Sequence, residues 1–175
     1  MSNSFFSKDI VEFLYLLFKY KVNYLIVGGE AVIYYGHARL TGDIDIFYER
    51  SNKNVKKLFN MLNEFWNNDI PGISNQKELM HKGMVFQFGV PPNRIDLINT
   101  IENIKFQDAW GNKKEDIINN EKREIKIFYI GLNELIKNKE AINRFRDKDD
   151  LIFLKELKKQ NDKSRKKKNK NKENK

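Results

Sequence analysis

The chain alternates between segments with apolar residues at helical spacing and short apolar runs rich in β-branched and aromatic residues. The first helical segment follows Ser7, whose side chain we expect to cap it. The short apolar runs predict strands between the helices. The predicted helices are residues 8–20, 30–35, 53–66, 132–141 and 147–160. The predicted strands are residues 22–27, 43–48, 84–90, 94–98 and 124–129.

This order of elements predicts an α/β (α+β) fold, in which helices pack on a small mixed sheet of about four to five strands and a small helical segment ends the domain. The short turn at Pro91–Asn93 favours antiparallel pairing of the strands on either side of it. Residues 124–129 alternate polar and apolar positions and are expected to form an edge strand. We therefore predict one domain over residues 1–157.

The positive charge is concentrated at the C-terminal end. The 175 residues carry a formal net charge of +9, and residues 158–175 hold ten Lys and Arg against two acidic residues, so the remainder is nearly neutral. Residues 158–175 contain no apolar side chain, which predicts a disordered basic tail. Such a tail could bind RNA electrostatically, and compositional bias is the alternative explanation.

Composition excludes several classes of protein. The absence of Cys rules out disulfides and thiolate zinc sites, and two His residues make a histidine metal site a poor prospect, so oxygen ligands remain. No apolar run approaches the ~20 residues that span a bilayer. The N-terminal residues lack a basic region followed by an apolar core. We expect no membrane partner, a cytoplasmic location, and structural roles for His37 and His81.

The candidate chemistry begins with two glycines and a pair of carboxylates. Gly28 and Gly29 end an apolar strand, where backbone amides without a neighbouring Cβ could contact a polyphosphate. Asp43 and Asp45 are two residues apart on the next predicted strand, so both side chains point to the same face. Paired carboxylates in this arrangement are typical ligands of a divalent cation.

Asp96 lies in the apolar strand RIDLI, where an unpaired charge would be costly. If this strand lies beside the strand of Asp43 and Asp45, three carboxylates converge and can hold Mg²⁺ or Mn²⁺. The alternatives are an ion pair with nearby Arg94 or a solvated strand end.

The residues Gly28-Gly29, a spacer of thirteen residues, Asp43-x-Asp45 and the later Asp96 resemble the minimal nucleotidyltransferases of the DNA polymerase β superfamily. More narrowly, GGEAVIYYGHARLTGDIDIF and GLNELIKNKEAINRFRDKDDLIFLKEL resemble bacterial nucleotidyltransferase-like proteins related to the AbiEii and MenT toxins. The resemblance covers about residues 20–157. One difference is the segment before Asp147, which lacks the proline usual in that family.

The resemblance implies specific roles. Asp43 and Asp45 would bind the metal, and Asp96 would complete the metal site and act as general base. Gly28 and Gly29 would contact the triphosphate. Further expected site residues are Arg39 and Thr41 beside the nucleotide and Lys139 and Asp147 as later catalytic residues.

The implied reaction transfers a nucleoside monophosphate from an NTP to an acceptor hydroxyl, with Mg²⁺ or Mn²⁺ and release of pyrophosphate. RNA such as a tRNA end, a protein hydroxyl or a small molecule are the candidate acceptors, and a toxin role would imply a cognate antitoxin. Two other classes stay open: a catalytically inactive nucleotide- or RNA-binding module on the same scaffold, and a glycosyltransferase with a metal-binding Asp-x-Asp motif.

Overall fold

The computed structural model describes residues 6–120 and 123–173, and within them the chain forms six α-helices, one short 3-10 helix and six strands. The α-helices are α1 (Lys8–Lys19), α2 (Gly28–Tyr34), α3 (Asn52–Phe65), α4 (Phe106–Gly111), α5 (Leu132–Ile142) and α6 (Asp147–Glu173). The strands are β1 (Tyr24–Val27), β2 (Asp43–Tyr48), β3 (Val85–Phe88), β4 (Arg94–Ile98), β5 (Lys114–Asn120) and β6 (Arg123–Tyr129). The 3-10 helix, Gln76–Met80, and α4 were not predicted, because helices this short show little periodicity.

The strands form one mixed sheet in the order β3-β4-β2-β1-β6-β5. Neighbouring strands are parallel in the pairs β2/β4 and β1/β6 and antiparallel in the pairs β1/β2, β3/β4 and β5/β6. The predicted α/β (α+β) class and the antiparallel β3/β4 pair are confirmed. The sheet has six strands rather than the four to five that the sequence predicted.

The additional strand is β5, which forms a hairpin with β6. Its ladder extends from Lys114 opposite Tyr129 to Asn120 opposite Arg123. The β5 sequence KEDIINN is mostly polar, so it lacks the apolar run from which the other strands were predicted. Because β6 lies between β5 and β1, it is an interior strand, and its predicted edge position is wrong.

Helices α1 and α3 pack against each other and bury their apolar faces. The rings of Phe13 and Phe65 meet edge to face with centroids 5.2 Å apart. Leu14 and Leu58 are fully buried, and each such side chain contributes about 1.5–3 kcal/mol relative to exposure. The predicted cap of α1 is present, since the backbone N–H of Ile10 donates to Ser7 Oγ at 3.5 Å.

Helix α6 continues to Glu173, where the sequence predicted disorder from residue 158. The expected domain boundary at 157 falls inside this helix. Two features favour helix over disorder: the segment contains neither Gly nor Pro, and acidic residues fill its first turn while Lys predominates towards its C-terminal end. In the described ranges, neither α6 nor another helix combines the length and apolar character needed to cross a membrane.

Candidate active site

Three carboxylates and one guanidinium lie on a single face of the sheet where β2 and β4 run in parallel. In the register of this pair, Asp45 is opposite Asp96 and Asp43 is opposite Arg94. Because side chains alternate along a strand, residues two apart and residues directly opposite share a face. We call Asp43, Asp45, Arg94 and Asp96 the acid edge. The structure thus brings together the three carboxylates that the sequence singled out.

Arg94 connects two of these carboxylates. Its Nε donates to Asp96 Oδ1 at 2.9 Å, and its Nη2 donates to Asp96 Oδ2 at 3.1 Å and also to Asp43 Oδ2. Gln87, opposite Asp96 on β3, donates from Nε2 to Asp96 Oδ2 at 3.0 Å. Asp96 is only 6% exposed, so these bonds compensate its burial. The ion pair with Arg94, one of the two alternatives for Asp96, is present.

Asp45 differs from its neighbours because its side chain makes no hydrogen bond or ion pair with any residue in the described ranges, although it is partly buried. Burial raises the pKa of its carboxyl to about 6, and the charges of Asp43 and Asp96 add to this effect. Arg94 and Arg144 oppose the shift. A carboxylate held without a partner beside two others would be stabilised by a cation.

The two glycines allow α2 to begin directly against β2. Gly28 has a φ of +63°, and a Cβ on it would lie 1.9 Å from Asp45 Oδ2. A Cβ on Gly29 would lie 2.8 Å from Thr41 Oγ1, and that hydroxyl is 3.1 Å from both the backbone oxygen and Oδ1 of Asp43. Any side chain at residue 28 would therefore displace the Asp45 carboxylate. The expected contact of both glycines with a triphosphate stays a prediction.

Glu30 is a further acidic residue of the site that the sequence analysis did not identify. It lies in the first turn of α2, directly after the glycines. Burial raises the pKa of its carboxyl to about 7, with Asp43 and Asp45 raising it further and Arg39 lowering it. The negative potential of the acid edge thus extends to the start of α2.

A second group of charged residues links the segment before β2 to α5 and α6. Lys139 Nζ lies 2.6 Å from Asp147 Oδ1 and 2.8 Å from Asp150 Oδ2, and all three residues are buried. Arg39 donates from Nη1 to Asp150 Oδ2. We call Arg39, Lys139, Asp147 and Asp150 the lysine cluster. It unites three residues that the resemblance singled out with Asp150, which was not predicted.

Two neighbours connect the lysine cluster with its surroundings. His37 Nε2 lies 3.8 Å from Asp150 Oδ1, and its ring stacks on Phe153 with centroids 4.7 Å apart. Arg144 Nε lies 3.8 Å from Asp147 Oδ2, and the same guanidinium lowers the pKa of Asp45. Arg39 also lies near Gly29, 3.7 Å from the position of a Cβ there. The lysine cluster and the acid edge are therefore adjacent across the start of α2.

The acid edge has the donor chemistry of a site for a hard cation. Its ligand atoms are carboxylate oxygens, which Mg²⁺ prefers, and the Asp45 carboxylate has no hydrogen-bond or ion-pair partner among the described residues. Arg94 already joins Asp43 to Asp96. In keeping with this, residues 6–120 and 123–173 contain no group of three or more His, Cys, Asp or Glu arranged to hold a metal ion. A cation held by Asp43 and Asp45 would have to displace Arg94 from Asp43.

Comparison with known families gives a match over most of the chain. Residues 8–164 match the sequence profile of a family described as "Nucleotidyltransferase of unknown function (DUF6036)". The chain belongs to this family. Membership supports a nucleotidyltransferase superfamily and role, while the closer relation to the AbiEii and MenT toxins stays a prediction. Among curated proteins, no relative matches the chain.

Proposed function

We propose that the protein transfers a nucleoside monophosphate from an NTP to an acceptor hydroxyl at the acid edge and releases pyrophosphate. The observation that carries this proposal is the register of β2 and β4, which sets Asp45 opposite Asp96 with Asp43 on the same face. The contact of Gly28 with Asp45 adds a backbone surface without side chains next to the carboxylates. Family membership supports the reaction type.

In the proposed reaction, Asp43 and Asp45 would hold Mg²⁺ or Mn²⁺, which when bound would stabilise the negative charge of the triphosphate. The backbone of Gly28 and Gly29 contacts the triphosphate, with Thr41 fixing the orientation of Asp43. Asp96 accepts the proton of the acceptor hydroxyl. The acceptor oxygen forms a bond to the α-phosphorus, the bond from that phosphorus to the bridging oxygen breaks, and pyrophosphate leaves.

We assign Lys139 and Asp147 a positioning role in this reaction. Lys139 binds both Asp147 and Asp150, and Asp150 in turn binds Arg39. This chain of ion pairs fixes the segment before β2, and the Arg39 guanidinium lies near Gly29, where a nucleotide phosphate would lie. The burial of Lys139 and Asp147 supports action through Arg39 rather than direct contact with substrate.

For the acceptor, we propose RNA, with a tRNA end as the first candidate. The lysine-rich part of α6 supports this choice, because clustered Lys and Arg bind phosphate backbones without sequence preference. A protein hydroxyl and a small hydroxylated molecule are the other acceptors to test. A toxin role with a cognate antitoxin follows from the resemblance to the AbiEii and MenT proteins and is part of this proposal.

One observation favours the second candidate function, a catalytically inactive nucleotide- or RNA-binding module. Arg94 pairs with Asp43 and Asp96, so two of the three carboxylates already have a cationic partner within the chain. A binding module predicts that affinity for NTP or RNA survives the loss of these carboxylates.

The decisive experiment incubates the purified protein and Mg²⁺ with each labelled NTP and, in separate reactions, total RNA, cell protein and small hydroxylated metabolites. Transfer of label would identify both the nucleotide and the acceptor. Asp43→Asn should abolish labelling with the fold intact, because it removes a metal ligand without opening a cavity. Labelling of undiminished strength in this variant would refute the metal assignment, and binding without labelling would favour the inactive module.

A further inference from the structure

Arg94 is the one basic residue among the four residues of the acid edge. It is the first residue of β4, two residues before Asp96, and it lies directly opposite Asp43 on β2. Its side chain therefore lies on the same face of the sheet as the three carboxylates, and it contacts both Asp43 and Asp96. The planar guanidinium has several donors in a fixed arrangement, so one side chain can bind two carboxylates at once.

The two ends of this bridge differ in their access to solvent. The Asp96 side chain is 8% exposed and accepts two hydrogen bonds from Arg94 and one from Gln87. The Asp43 side chain is 30% exposed and accepts from a single nitrogen of Arg94. A dissolved ion can reach Asp43 more easily than Asp96, and it would have to break only one bond to replace Arg94 there.

We propose that Arg94 is an internal counter-ion, which occupies Asp43 until a divalent cation displaces it and which stays bound to Asp96 after that exchange. This inference rests on the proposed function, because it takes Asp43 and Asp45 as the cation ligands. Arg94 would then be a positioning residue with two bonding arrangements. Without the cation its side chain bridges Asp43 and Asp96, and with the cation bound it contacts Asp96 alone.

The counter-ion has two physical consequences. Arg94 and the cation compete for Asp43, so the cation binds less tightly than the three carboxylates alone would allow. Without the cation, Arg94 offsets the repulsion among carboxylates that are adjacent in the sheet. Removing the guanidinium should therefore tighten cation binding and destabilise the cation-free protein. A residue that served only the packing of the sheet would produce the second effect without the first.

The first test measures Mn²⁺ affinity, by calorimetry or by the paramagnetic signal of free Mn²⁺, in the wild type and in Arg94→Gln. We expect binding at least about tenfold tighter in the variant, since a neighbouring charge changes the equilibria of a carboxylate by roughly one to three powers of ten. Arg94→Lys keeps the charge but cannot bridge in the same way, so its affinity should lie between the two.

Arg144→Gln is the matched control, because Arg144 also acts on Asp45 but donates to no carboxylate of the acid edge. This variant should change Mn²⁺ affinity less than about twofold, as expected for an exposed charge. An equal increase in Mn²⁺ affinity in Arg94→Gln and Arg144→Gln would show a general charge effect and overturn the proposal. Unchanged or weaker Mn²⁺ binding in Arg94→Gln, or no binding in any form, would overturn it too.

A second test needs no variant of Arg94. Nitrogen-15 NMR of the wild type follows the arginine Nε–H signals during a titration with Mg²⁺. The Arg94 signal should move as the cation binds, while that of Arg39, paired with Asp150, should stay in place. Backbone shifts at Asp43 and Asp45 without a shift at Arg94 would contradict the exchange.

These measurements separate the inference from the proposed function. They use Mn²⁺ or Mg²⁺ alone, without NTP or acceptor. Competition at Asp43 without transfer of label would support the counter-ion and disprove the enzyme. Transfer of label with an Mn²⁺ affinity insensitive to Arg94→Gln would support the enzyme and disprove the counter-ion.

Discussion

The acid edge and the lysine cluster lie side by side, yet they balance their charges differently. In the lysine cluster, two buried carboxylates face Lys139 and Arg39, and each carboxylate has a strong cation within hydrogen-bonding distance. In the acid edge, three carboxylates face Arg94, and the Asp45 carboxylate makes no hydrogen bond or ion pair in the described part of the chain. One group is neutralised internally, whereas the other keeps an excess of negative charge.

This difference predicts a structural role for the lysine cluster and a ligand-binding role for the acid edge. Buried ion pairs are costly to break, because removing one member leaves a charge without solvent or partner. The lysine cluster therefore fixes α5 and α6 against the segment before β2. An excess charge, by contrast, raises the energy of the protein until a ligand of opposite charge binds. The two groups should therefore respond to substitution in opposite ways.

The largest expected effect is on stability, in the lysine cluster. Lys139→Met should lower the free energy of unfolding by about 3–5 kcal/mol, because Asp147 and Asp150 would lose their shared buried cation. Urea unfolding monitored by circular dichroism measures the change. Lys137→Met on the exposed side of the same helix is the control and should stay within about 0.5 kcal/mol. A similar small loss in both variants would show that the cluster does not stabilise the fold.

The opposite response is expected at the acid edge. Asp45→Asn should reduce nucleotidyl transfer at least about a hundredfold, because it removes a proposed cation ligand. It should leave the melting temperature unchanged or higher, because it relieves repulsion from Asp43 and Asp96. Label transfer and thermal unfolding of the same preparation measure both quantities. Asp69→Asn, at an exposed position, should alter neither, and a large loss of stability in Asp45→Asn would contradict the comparison.

The free energy of unfolding should depend on pH because the pKa values of Asp45 and Glu30 are raised in the folded protein. The pKa of Asp45 is about 6 in the folded protein against an ordinary value of 3.8. The folded state therefore binds more protons between these values, and stability should fall as pH rises from about 4 to 6, by roughly 1–2 kcal/mol after allowance for solvent screening. Glu30, with a pKa of about 7, extends the fall towards neutral pH.

Urea unfolding at successive pH values checks this dependence. Asp45→Asn should flatten the fall below pH 6 and keep the part that Glu30 causes. Glu30→Gln should do the reverse. A wild-type stability that increases over this range would show that paired carboxylates such as those of the lysine cluster dominate instead.

The smallest effect on stability is expected beyond residue 164, where the match to the family ends. Deleting residues 165–175 should change the free energy of unfolding by less than about 0.5 kcal/mol, because the sequence there contains no apolar residue. The deletion should weaken RNA binding and reduce its dependence on salt concentration. Filter binding at two salt concentrations measures this, and unchanged affinity would favour compositional bias.

Much of the fold could be predicted because its central strands carry strong local signals. The predicted and observed limits of β2 and β4 coincide, since both strands are apolar runs interrupted by carboxylates. Strand β5 and the continuation of α6 were missed for the opposite reason. Both are polar segments, whose structure depends on the partner strand or on helix propensity and charge order rather than on apolar periodicity.

Site residues could be predicted where a charged residue stands out within an apolar segment. Asp96 was identified because a carboxylate in an apolar strand needs a partner. Arg94 was considered as that partner, but its second bond, to Asp43 across 51 positions, depends on the pairing of β2 with β4. Asp150 could have been found from its spacing of one helical turn after Asp147. Its contact with Arg39, across 111 positions, required the fold.

The parallel pairing of β2 and β4 also determines which insertions and deletions the protein can accept during evolution. Parallel neighbours require a long crossover, and here α3, the 3-10 helix and β3 lie between the two strands along the chain. Insertions within the loops of that crossover would leave Asp45 and Asp96 opposite each other. A slip of β4 by a single position would turn Asp96 to the other face of the sheet. The site should therefore tolerate insertions and deletions in the loops between β2 and β4. A change in the register of the two strands would disrupt it.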